Sequence, residues 1–93
     1  MIVGILTVEL DIPDAYSLKE KRMVLNRVRD RLRQRFNVAV AEVGENDVWN
    51  VATIGVVTVS NEQRHANQML SKVAEFLETV RDCEVADVSM EFI

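Results

Sequence analysis

Along this chain the spacing of apolar side chains switches between a period of two and a period near 3.6, and that succession limits the folds open to it. Over residues 2–11, Ile2, Leu6, Val8 and Leu10 share one face with Gly4, while Val3, Ile5, Thr7, Glu9 and Asp11 share the other. This is a strand whose second face is only partly polar. Pro13 and Asp14 break the pattern. Ser17-Leu-Lys-Glu20 reads as a capping box, with the Ser17 hydroxyl accepting from the N–H of Glu20 and the Glu20 carboxylate reaching back to the N–H of Ser17. The helix that follows runs to about Arg35, with Leu18, Leu25, Val28, Leu32 and Phe36 as its buried stripe, and Asn37 ends it. Residues 38–43 are a strand, Gly44 to Asp47 a hairpin loop, and residues 49–59 a β-branched strand with both faces apolar. Ser60-Asn-Glu-Gln63 is a second capping-box candidate. It opens a helix over roughly 62–80 with Ala66, Met69, Leu70, Val73, Leu77 and Val80 on one face. After a turn at Asp82 and Cys83, residues 84–92 form the last strand, in which Ala86, Val88, Met90 and Phe92 alternate with Asp87, Ser89 and Glu91.

The order βαββαβ predicts an α+β, ferredoxin-like split βαβ domain. Its four-stranded antiparallel sheet carries two helices on one face. The 93 residues, 48% of them hydrophobic, suit one globular domain over 1–93. The second sheet face is left bare, and a bare apolar face predicts self-association as a homodimer. No apolar run approaches the roughly 18 residues a membrane span requires. The N-terminal stretch lacks a basic leader and a small-residue cleavage site, so it reads as a strand and not as a signal peptide. The lone cysteine, Cys83, excludes an internal disulfide, and one Cys with one His does not make a structural zinc site. A cytoplasmic location is expected.

The net charge of −4 conceals an asymmetry. Residues 19–35 hold eight basic side chains (Lys19, Lys21, Arg22, Arg27, Arg29, Arg31, Arg33 and Arg35) against Glu20 and Asp30, while the rest of the chain is strongly acidic. Such asymmetry points to a partner. Lys19, Lys21 and Arg22 also stand in the first turns of the helix, where positive charge opposes the macrodipole. A local rule broken in this way marks a place to look for function, and a helix start flanked by cations suits phosphate. At about 100° per residue, Lys19, Arg22, Asn26, Arg29 and Arg33 fall within one sector of roughly 20° to 100° from Leu18, beside the buried stripe. Arg27, Arg31 and Arg35 fall elsewhere. The expected nucleic-acid-binding set is therefore Lys19, Lys21, Arg22, Arg29 and Arg33, following a phosphate backbone without reading bases. A protein-facing or merely solvated basic face is the alternative.

The segments SLKEKR (17–22), RFNVAVAEV (35–43) and DVWNVATIGVVTVSN (47–61), with the N-terminal MIVGILTVEL, resemble the YlxP-like bacterial family, a domain of unknown function, over essentially the whole chain. The resemblance implies a ferredoxin-like fold, no established activity, and genes set among those of translation factors. That setting suggests an RNA or ribosomal partner. No functional residues come with it.

Catalytic chemistry finds no constellation. His65 has no serine or cysteine placed to work with it, and carboxylates beside Cys83 make its thiol a poor nucleophile. Asp11, Asp14, Glu45 and Asp47 lack the spacing of a calcium loop. No glycine-rich phosphate loop is present, and no cofactor is expected. The bare sheet face offers Val3, Ile5 and Thr7 but no aromatic, which rejects base stacking on the sheet. Trp49, where the hairpin enters the third strand, can stack on a base, anchor an interface, or pack in the core or on its rim; Tyr16 reads as a loop residue. The expectation is a non-enzymatic RNA- or ribosome-associated module. The alternative is a homodimeric protein-interaction or ligand-sensing module whose basic helix faces an acidic protein.

Overall fold

The computed structural model describes every residue from Met1 to Ile93. Six elements follow in order: β1 (Ile2–Asp11), α1 (Leu18–Arg35), β2 (Ala39–Gly44), β3 (Val51–Ser60), α2 (Gln63–Leu77) and β4 (Glu84–Phe92). The sheet order is β2-β3-β1-β4, and every neighbouring pair is antiparallel. This is the α+β, ferredoxin-like arrangement expected from the periodicities.

The alternation of β1 decides which face meets the helices. Leu6, Val8 and Leu10 are buried, and across the β1–β3 ladder so are Ala52, Ile54 and Val56. Leu25, Val28 and Leu32 of α1 and Leu70, Val73 and Leu77 of α2 close over them in one cluster. Each such aliphatic side chain contributes about 2 kcal/mol on burial. Gly4 lets α2 lie close to β1. A Cβ there would stand 2.9 Å from Leu70 Cδ1 and 3.3 Å from Ala66 Cβ. On the opposite face, Val59 and Val43 are exposed, and Val3, Ile5 and Val57 are only partly covered.

Several local expectations are corrected. Ala86 does not join the inward face of β4. The β1–β4 register slips between Glu9 and Leu10, Val85 pairs with Leu10, and Ala86 is the extra, exposed residue of the bulge. Ser60 does not make a capping box with Gln63. Its hydroxyl accepts from the N–H of Glu62, and Glu62, the N-cap of α2, supplies no side-chain cap. α2 ends at Leu77, short of Val80, which is buried in the following turn. The hairpin loop is longer than four residues, because β3 begins at Val51.

Gly4→Val should destabilise the fold by about 1–3 kcal/mol through overpacking against α2. Leu70→Ala, itself destabilising, should cost less in the Gly4→Val background than alone, because the valine fills part of the space it vacates, so the double variant should be more stable in urea than the sum of the singles requires.

Candidate nucleic-acid interface

The first turn of α1 sets up the site. Ser17 caps it, its hydroxyl accepting from the N–H of Glu20 at 3.1 Å and lying 3.4 Å from the Glu20 carboxylate. Half of the expected capping box is therefore present, and Glu20 meets the hydroxyl of Ser17 in place of its N–H.

Lys21 corrects the sequence reading. It is 1% exposed, among the best-buried side chains of the protein, and contributes nothing to a surface for nucleic acid. Its Nζ donates to the carbonyl of Glu45 at 2.8 Å and to that of Val51 at 3.1 Å, and lies 2.8 Å from Glu42 Oε2. Three oxygens from β2, the hairpin and β3 thus surround the ammonium. The Glu42 oxygen has no donor in hydrogen-bonding alignment, so its contact with Nζ is a close approach of opposite charges. The signal was present in the spacing. Residues 18, 21, 25, 28 and 32 follow the 3-4-3-4 rhythm of a buried stripe, and Lys21 occupies the place between Leu18 and Leu25.

The remaining four residues divide as follows. Arg22 and Arg29, with Asn26, line a groove between α1 and β2 whose other wall is Val40, Ala41 and Glu42. Lys19 and Arg33 are exposed on the same helical sector, one at each end. Lys19 to Arg33 spans about 21 Å of helix at 1.5 Å per residue. Arg29 Nε is shut off from solvent and has no hydrogen-bond partner; its nearest carboxylate, Asp30 Oδ1, is 3.7 Å away. The one carboxylate in the groove, Glu42, is the one that Lys21 meets from inside.

Of the other cations of α1, Arg31 is exposed and makes no ion pair, while Arg27 and Arg35 are used within the fold. Arg27 pairs with Asp82 at 2.9 Å, and the Arg35 guanidinium lies 4.6 Å from the centre of the Phe76 ring, which also meets Phe36 edge-on. None of these belongs to the groove. His65 is exposed, 3.7 Å from Glu62. Cys83 is buried, and burial, reinforced by the Asp82 carboxylate, pushes its thiol above the ordinary value of 9.0.

The family described as Protein of unknown function (DUF503) matches residues 3–90. The chain belongs to that family. It is also similar to the "Uncharacterized protein YlxP" of Bacillus subtilis (strain 168), with 35% identity over 83 residues that cover 89% of this chain and 90% of the relative. The resemblance seen in SLKEKR and the W-x-x-A-x-I-G stretch thus extends over most of the chain, and neither the family description nor the relative's name carries an activity. No helix is long and apolar enough to cross a membrane.

Lys21→Met should cost about 3 kcal/mol or more, because it leaves Glu42 and two inward carbonyls without their cation. Lys21→Met combined with Glu42→Gln should regain much of the loss in a denaturation series. For Cys83, the raised folded-state value means that the native state holds its proton more tightly than the unfolded chain. Stability is therefore retained below the unfolded value and falls as pH rises from about 9.0 through the folded value. Urea midpoints taken on both sides of that pH should fall less steeply in Cys83→Ala than in the parent.

Proposed function

We propose that this protein is a non-enzymatic RNA-binding module, associated with the ribosome or its subunits, that holds a phosphate backbone along the α1–β2 groove through Lys19, Arg22, Arg29 and Arg33. The observation that carries this reading is a groove of cations in which the Arg29 guanidinium, its side chain 42% exposed, makes no hydrogen bond to a carboxylate. A phosphate oxygen is an acceptor of the right charge for it, and charge-assisted bonds of arginine to phosphate are strong and directional. Glu42 would repel a phosphate if it stood alone. The Lys21 ammonium 2.8 Å away offsets its charge, so the groove presents arginine to a ligand without an opposing net charge. Phosphate contacts of this kind position a chain without reading its sequence.

A second reading is favoured by the uncovered sheet face. Glu9 lies opposite Asp87 and Asp11 opposite Glu84 on the β1–β4 ladder, and none of the four takes part in an ion pair. Like charges paired across strands oppose each other. They would be relieved by a basic surface such as the α1 face of a second copy. That reading makes the protein a homodimeric interaction module.

Co-sedimentation with purified ribosomal subunits across a salt series separates the two. Four phosphate contacts to single-stranded RNA should give a log–log salt slope near −3, and each Lys or Arg to Glu reversal within the set should shallow it by about 0.7. Arg31→Glu, on the far side of the helix, should change it little. Binding that is insensitive to the four-fold reversal, in a protein that sediments alone as a dimer, would reject the phosphate reading in favour of the second.

A further inference from the structure

The hairpin between β2 and β3 lies at the Lys19–Arg22 end of the groove, because Lys21 ties it there. The ammonium donates to Glu45 at the start of the loop and to Val51 just after it. From the other side, the N–H of Ile12 in the β1–α1 loop donates to the carbonyl of Asn50 at 2.8 Å. Glu45 sits in the left-handed region, with φ of 60°, and its carbonyl also accepts from the N–H of Val48. The loop is thus held at both ends and folded on itself. On it Trp49 stands 50% exposed beside Val48 at 38%. Half of the Trp49 surface is thus open to solvent on a loop fastened at three points.

We propose that Trp49 is a stacking platform for one unpaired base of the RNA whose backbone lies in the α1–β2 groove, which makes single-stranded RNA the ligand class. The inference rests on the phosphate reading above and adds to it a second, chemically different contact. Two properties of the hairpin point this way. Its other side chains include Glu45 and Asp47, so the tip repels phosphate and cannot continue the backbone track. An indole accepts the uncharged face of a base, and a base is the part of a nucleotide that a basic groove leaves free to swing outward. In a duplex that face is already stacked, so only an unpaired nucleotide can offer it. A cationic track with an aromatic at its end is the arrangement by which single strands are bound without sequence preference. Arg22 and Glu42 line the groove, and Glu42 meets the same ammonium that holds both ends of the hairpin, so the loop that carries Trp49 adjoins the Arg22 end of the groove.

Trp49 is the single tryptophan of the chain, so its fluorescence reports this site alone. Titration with a short, unstructured, end-labelled oligouridylate should quench that fluorescence with the same midpoint as the anisotropy of the label. Trp49→Ala should weaken binding about tenfold or more and leave the salt slope unchanged, while Trp49→Phe should keep most of the affinity. A duplex of equal length should bind without quenching and be indifferent to Trp49→Ala. Salt-sensitive RNA binding with unquenched fluorescence and full affinity in Trp49→Ala would overturn the platform and leave the phosphate groove standing. Absence of salt-sensitive binding by the anisotropy of either RNA would overturn both.

Discussion

A single ammonium holds one end of this protein together. Lys21 lies in the first turn of α1, and its charge, removed from water, must find oxygen partners. It finds them in Glu42 of β2, in Glu45 of the hairpin and in Val51 at the start of β3. One side chain therefore joins a helix to an edge strand, a loop and a central strand. The desolvation of such a charge is costly, and its interactions with three oxygens offset that cost without turning it into a large net gain. What the arrangement secures is position. The ammonium ties β2 and both ends of the hairpin to the helix beside the groove between α1 and β2.

The cations of α1 consequently fall into groups with different roles. Lys21 is internal. Arg27 and Arg35 meet Asp82 and Phe76 and draw the helix toward the rest of the helical layer. Exposed contacts of this kind stabilise by a few tenths to one kcal/mol. Arg31 stands apart on the far side of the helix, while Lys19, Arg22, Arg29 and Arg33 share one sector, and none of these four has a close carboxylate partner apart from the loose approach of Asp30 to Arg29. A count of basic residues in the helix overstates the free charge, because the same residue types serve the fold and the surface.

The acidic balance of the chain is likewise organised. Carboxylates gather where β1 and β4 run side by side, on the face of the sheet away from the helices. The basic groove lies on the helical side, against β2 at the other edge of the sheet. Placing opposite charge at opposite edges keeps the two from cancelling.

Much of the architecture was legible in the sequence because burial on one side leaves a period. The alternation of Leu6, Val8 and Leu10, and the helical spacing of Leu25, Val28 and Leu32, were enough for the element order and hence for the sheet and its two helices. The stripe of Arg22, Asn26, Arg29 and Arg33 was legible for the same reason, since the angle between side chains is a property of the helix alone. Residue chemistry misled where it was read without the period: Lys21 sits on the buried rhythm, but its charge suggested the surface. Only the tertiary structure decided that Glu42, Glu45 and Val51 come to its ammonium, that Ala86 bulges out so that Val85 turns in, and that the loop carrying Trp49 is tied to that same ammonium. Each of these depends on segments far apart in the chain meeting in space. A sequence records the periodicity of each segment, while register, bulges and the partners of a buried charge are settled when the segments pack against one another.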